Sequence, residues 1–127
     1  MANRITAWAI DCLDAHRMAD FWTAVLGWIV TDTDDAGNVT IKPAVDAGWG
    51  IDFFVVPDGP KRSKNRIHLD VSPTDCDQAA ELGRLLSLGA RTVDIGQGDV
   101  PWHVLADPEG NEFCLLRHRV GSDSTSH

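Results

Sequence analysis

The stretch Asp107-Pro108-Glu109-Gly110-Asn111-Glu112-Phe113-Cys114-Leu115 reads as the turn and second strand of a β-hairpin. Pro108 presets the backbone for the second position of a type I turn, and Gly110 accepts the left-handed conformation of the bulge that follows. Asp107 and Asn111 then face each other, which sets the register. Ala106 opposes Glu112, Val104 opposes Cys114 and Trp102 opposes Leu116, while Phe113 and Leu115 point to the other face. The Phe113 and Leu115 side is expected to pack under helices. The Glu112 and Cys114 side is expected to look into a concave cavity.

Upstream of this hairpin, Val100 to Ala106 supplies its first strand and Gly96-Gln97-Gly98 a turn, with Arg91 to Ile95 a further strand. Before them stands a helix capped at Thr74 or Asp75, with a buried stripe of Ala79, Leu82, Leu85 and Leu86 and an end at Leu88-Gly89-Ala90. Ile67 to Val71 is the strand that precedes it. The first half of the chain has the same order. Ile5 to Cys12 reads as a strand. Asp14 caps a helix with Met18, Trp22, Val25 and Leu26 on its apolar stripe and Gly27 as its stop. Strands follow at Trp28 to Thr33, Val39 to Lys42 and Gly50 to Val56. The helix-ending glycines Gly27 and Gly89 lie 62 positions apart, about half the chain, so the pattern is βαβββ written twice. A unit whose sheet cannot bury its own face implies pairing of the halves. The expected organisation is one α+β domain over 1–120: module one at 4–57, a polar connector at 58–64 and module two at 65–118. A flexible tail follows at 119–127.

Composition bounds the partners. Nineteen acidic residues against eleven basic ones give a formal charge of -8, which argues against a nucleic-acid or anionic-membrane partner. No apolar run reaches the roughly 18–20 residues of a membrane span, and Met1-Ala2-Asn3-Arg4 lacks the layout of a signal peptide, so the cytoplasm is the expected location. Cys12, Cys76 and Cys114 have no zinc or disulfide spacing and read as small hydrophobes. Five Trp and no Tyr point to flat apolar walls.

Three segments in this order resemble the vicinal oxygen chelate superfamily, which holds glyoxalases, bleomycin-resistance proteins and extradiol dioxygenases. Asp20-Phe21-Trp22-Thr23-Ala24-Val25-Leu26-Gly27-Trp28 is similar to the end of that superfamily's first helix, and residues 107–115 to its final hairpin. With Lys64-Asn65-Arg66-Ile67-His68-Leu69-Asp70 they resemble a glyoxalase-like subgroup in which "KNRxHLD" and "DPEGNEFC" occur together. The resemblance implies two βαβββ modules forming a curved mixed sheet around a cleft, and a homodimer.

The superfamily usually holds a divalent metal with His and Glu. Counted onto this chain, its ligand positions fall on Ala7, Arg66, Cys114 and either Phe54 or Asp52. At least three of the four are absent or replaced, one by a cation, so no cofactor is expected and glyoxalase or dioxygenase chemistry is not favoured. A divalent metal in a shifted register, on His68, Asp70 and Glu112, is the alternative.

Alternation puts Arg66, His68 and Asp70 on one strand face, with Glu112 and Cys114 on a nearby strand. Two readings stand. In one this is an internal network, Arg66 with Glu112 or Asp70 and His68 between them. In the other it is a ligand-binding floor, where Arg66 grips an anionic or carbonyl group, His68 acts as acid or base and Asp70 or Glu112 orients it. Trp22, Trp28 and Trp8 are assigned to packing, and Trp102, Trp49 and Phe54 are candidates for ligand contact. The basic connector residues Lys61, Arg62 and Lys64 form a solvated loop or guide an anionic ligand. Two functions are carried forward. One is a metal-independent small-molecule binder of the drug-sequestration or resistance type, taking a flat, partly apolar ligand. The other is a lyase or isomerase using His68 with Asp70 or Glu112 for proton transfer.

Overall fold

The computed structural model describes residues 1–45 and 48–121. The chain divides into two compact units, Met1–Pro60 and Lys61–His127. Most of the expected tail, from residue 122 on, lies outside the described residues. Before it, the Val120 N–H donates to the Pro73 carbonyl at 2.8 Å.

The first unit runs β1 (Ala7–Cys12), α1 (Ala15–Leu26), β2 (Ile29–Thr33), β3 (Val39–Lys42) and β4 (Gly50–Val55). The second repeats it as β5 (Leu69–Val71), α2 (Gln78–Leu88), β6 (Arg91–Thr92), β7 (His103–Ala106) and β8 (Glu112–Leu115). Each unit forms its own four-stranded mixed sheet, in the orders β1-β4-β3-β2 and β5-β8-β7-β6, with the first and last strands parallel and the other neighbours antiparallel. This is the expected α+β architecture of two βαβββ modules.

Helix α1 forms where it does because both ends are satisfied locally. The Asp14 carboxylate accepts the Arg17 N–H at 3.1 Å, and Gly27 closes the helix with a φ of 69°. Its buried Met18, Ala19 and Trp22 belong to a helix that packs on β2, β3 and β4, where Val39, Ile41, Ile51 and Phe53 are buried. Trp8 is in register with Ile51 and so shares that face as expected, but it is exposed rather than packed into the core. The opposite face carries Ala7, Ala9, Thr40, Lys42 and Asp52. Gly50 is required where β4 passes β3, since a Cβ there would sit 2.5 Å from the Ile41 carbonyl oxygen. Gly50→Ala is expected to cost about 2 kcal/mol by overpacking, read as a lowered urea midpoint with an unchanged slope.

In the second unit the hairpin has the expected register, with Ala106 opposite Glu112 and Val104 opposite Cys114. Leu105, Phe113 and Leu115 are fully buried on one face. The strands are shorter than the periodicity predicts, for local reasons. Pro101 has no N–H to give a ladder, so β7 begins at His103 and Trp102 lies outside it. After Thr92 the Gln97 side chain takes the Ile95 N–H and the Asp94 side chain takes the Gly96 N–H, each at 2.8 Å, which ends β6.

Helix α2 is rotated from its expected phase. Asp77 is its N-cap rather than Thr74 or Asp75, accepting the Ala80 N–H at 2.9 Å. The Gln78 amide donates to the carbonyls of Pro101 and Leu115, and the buried positions are Glu81 and Leu85, while Ala79 and Leu86 are exposed. Burying Glu81 is tolerable because Arg84 donates to both of its oxygens at 2.8 Å.

Candidate functional site

The chemistry-bearing residues of the second unit gather where β5 meets β8. Asp70 and Cys114 are partners in the parallel register. His68, two residues before Asp70, places its Nε2 3.2 Å from the Asp70 Oδ1. Ligand atoms of His68, Asp70 and Cys114 all lie within 4.8 Å of one another. His68 and Asp70 are exposed and Cys114 is buried, so the trio has an open side and a closed one. Burial pushes the Cys114 thiol up, and the Asp70 carboxylate beside it adds to the rise, against the opposing pull of Lys64.

Glu112, next but one to Cys114 on β8, has other partners. Its Oε2 accepts from Lys61 Nζ at 2.8 Å and its Oε1 accepts the Asn65 backbone N–H at 2.7 Å. Burial alone would raise its carboxyl. The Asn65 N–H and the Lys61 ammonium outweigh burial and hold it below the usual carboxylate range. Strand β5 starts at Leu69, two residues later than the alternation predicts.

Of the expected internal network, the His68–Asp70 contact is present, but the cation on Glu112 is Lys61 and not Arg66. Arg66 lies before β5, exposed, with no ion pair to an acidic group among the described residues. From the sequence Lys61 reads as part of a solvated loop or as a guide for an anionic ligand, not as the partner of Glu112. The one signal that could have exposed its role is a strand-borne acid, Glu112, that would be costly to bury without a cation.

Trp102 is 39% exposed beside the start of β7. In the first unit, Phe54 is exposed on the helix-free face of β4, and half-buried Trp49 stacks edge-on against Trp28 with ring centroids 5.8 Å apart. Trp28, expected to pack, therefore packs on a residue expected to contact ligand. On the same helix-free face a polar pocket of about 240 Å³ is lined by Ala7, Asp32, Thr40, Lys42, Gly50 and Asp52, among others. The Thr40 hydroxyl donates to Asp52 at 2.5 Å. Nothing in the periodicity singles out Asp32 or Lys42, because their convergence depends on the β2–β3 register and its irregularity between Val30 and Asp32.

The divalent metal that the superfamily resemblance implies does not fit its usual positions. Ala7 offers no donor, Phe54 is a hydrocarbon and Arg66 a cation. Of the remaining two, Asp52 already accepts from Thr40.

A family model described as a glyoxalase-like domain matches residues 7–116. No curated protein matches the chain. Among solved structures, the chain is similar to the fosfomycin resistance protein FosX from Listeria monocytogenes, with a TM-score of 0.69 and 12% identity over 94% of each chain. A glyoxalase/bleomycin resistance protein/dioxygenase family enzyme from Burkholderia phytofirmans gives 0.63 at 17% identity, covering 87% of this chain and 94% of that one. A possible glyoxalase from Bacillus cereus gives 0.65 at 11%, covering 91% and 99%. At such identities the likeness is one of fold, and the fold is the one built above from its two modules. The family match spans both of those modules, and the chain belongs to the glyoxalase-like domain family.

Proposed function

We propose that the protein binds a small, partly apolar molecule in the manner of a drug-sequestering or resistance protein, through its own side chains rather than through the metal usual in its superfamily. The observation that carries this reading is the polar pocket of about 240 Å³ on the helix-free face of the first sheet. There a Lys, two Asp and two Thr converge, next to small residues that leave room, and the superfamily's ligand positions carry Ala7 and Phe54. Such a pocket supplies a few polar anchors, while Trp49 and Phe54 supply flat apolar surface nearby on the chain. In the second unit Arg66, His68, Glu112, Cys114 and Trp102 remain the proposed contacts. The same reading has the protein act in the cytoplasm as a homodimer, which sedimentation equilibrium tests directly. No described helix is long and apolar enough to cross a membrane.

The test is thermal unfolding and Trp fluorescence of EDTA-treated protein against a panel of aromatic antibiotics, fosfomycin and 2-keto or 2-hydroxy thioesters. A ligand at a hundred times its Kd should add about 2.7 kcal/mol of stability, with no consumption of the compound. If no compound shifts the transition of the metal-free protein, and one does so only after metal is restored, this reading is wrong.

The contact between His68 and Asp70 favours a second reading, a lyase or isomerase in which His68 moves a proton and Asp70 orients its ring. Glu112 is committed to Lys61 and Asn65, so its part in proton transfer would be to hold the connector. Turnover of a panel compound that is lost in His68→Ala would favour the enzyme over the binder.

A further inference from the structure

We infer that His68, Asp70 and Cys114 form a three-ligand site for a thiophilic divalent cation of the zinc type. As a set it differs from the superfamily's usual positions, of which it keeps only Cys114, and from the shifted trio expected from the sequence, of which it keeps His68 and Asp70. It draws all three donors from one module, and it uses Cys114 in place of Glu112.

The geometry argues for it from two directions. Asp70 and Cys114 are paired across β5 and β8, and His68 approaches Asp70 from the same strand, so the backbone register itself brings the donors together. Their mutual distances are within 4.8 Å, with His68 Nε2 3.2 Å from Asp70 Oδ1. A tetrahedral ion bound at ordinary zinc–ligand distances separates its donors by roughly 3.3–3.8 Å, which small side-chain rotations reach from here. Glu112 is excluded because both of its oxygens are taken, one by Lys61 and one by the Asn65 N–H.

The donor chemistry selects the ion. One imidazole, one carboxylate and one thiolate suit zinc or cobalt and are poor for magnesium or calcium, which want oxygen. Binding replaces the thiol proton by the metal, so one proton leaves Cys114 for each ion bound and no redox step is involved. Three protein ligands leave a coordination position open, on the side where His68 and Asp70 are exposed. That position would take an anionic oxygen or sulfur donor.

The inference goes beyond the proposed function and stands apart from it, since the pocket that carries that reading lies in the first unit and this site in the second. The two can fail separately. Ligand capture is read on EDTA-treated protein, and metal binding on the protein with no organic ligand. The full chain, stripped with EDTA and kept reduced, is titrated with Co(II). The expected result is one equivalent per chain, a near-ultraviolet thiolate-to-cobalt charge-transfer band, visible bands of tetrahedral cobalt, and loss of both on adding Zn(II). Cys114→Ser abolishes the charge-transfer band and Cys76→Ser keeps it. His68→Ala, at an exposed position where the fold is expected to hold, weakens cobalt binding by more than the roughly 10–100-fold that loss of an outer partner costs. A titration with no charge-transfer band overturns the inference. So does a band that survives Cys114→Ser, or His68→Ala with unchanged affinity and unchanged circular dichroism.

Discussion

Asp107→Ala is expected to destabilise the protein by about 3–4 kcal/mol, because a fully buried carboxylate is the hub of the β7–β8 turn. Its Oδ1 accepts the Glu109 N–H at 2.9 Å and the Asn111 N–H at 3.0 Å, and the Asn111 amide donates to both oxygens. Its own N–H donates to the Asn111 carbonyl at 3.0 Å, and its carbonyl accepts from Gly110 at 2.9 Å. Alanine keeps those two backbone bonds and loses every side-chain one. The Glu109 and Asn111 N–H groups are then left partly buried without an acceptor, and each such orphan costs about 1–3 kcal/mol. Thermal unfolding should move down by about 10 °C, and native-state hydrogen exchange at Asn111 should quicken. Asp107→Asn, which keeps one acceptor oxygen, should recover more than half of the loss. An alanine variant within 0.5 kcal/mol of the parent would mean that water replaces the carboxylate without cost.

The same turn shows what a sequence reveals. Its conformation depends on Asp107, Pro108, Gly110 and Asn111, all within five residues, so the hairpin and its register were legible, and with them the face that Cys114 shares with Glu112. Helix caps are equally local, and the ends of α1 were readable from Asp14 and Gly27. Failures came where a distant partner decides. Strand alternation puts Glu112 and Cys114 on one face but cannot say which of them meets His68. That depends on the parallel register of Asp70 with Cys114, 44 residues apart. The phase of α2 depends on Gln78 reaching the Leu115 carbonyl, and the partners of Glu112 on Asn65 and Lys61 reaching it from 47 and 51 residues away. Neither leaves a local pattern. Lys61 stood in a run of basic connector residues with nothing to distinguish it from Arg62 or Lys64. The polar pocket of the first sheet was partly legible, since Ala7 and Asp52 were counted as cavity positions, but Asp32 and Lys42 enter it through an irregular register.

Glu112→Ala is expected to cost about 3 kcal/mol, more than a surface ion pair could. The side chains of Lys61 and Glu112 are only 21% and 11% exposed, so alanine leaves an ammonium with little water and no counter-charge, and the Asn65 N–H without its acceptor. Both losses fall on the connector that leads into β5, which should become the first segment cut by a protease. The pH dependence separates this account from simple loss of packing. The native Glu112 carboxyl is held below its ordinary value, so the unfolded chain takes up its proton first as pH falls. The stabilisation is therefore full at neutral pH and above the unfolded value, about pH 4.3, and declines as pH drops through that value toward the native one. Glu112→Gln keeps an oxygen for Asn65 but has nothing to titrate. Its stability relative to the parent should be lowest at neutral pH and should approach the parent's in acid. Lys61→Met should weaken the pH dependence without abolishing it, because the Asn65 N–H still favours the charged carboxylate. If the Gln variant and the parent keep a constant difference from pH 7 down to pH 3, Glu112 does not fasten the connector through its charge.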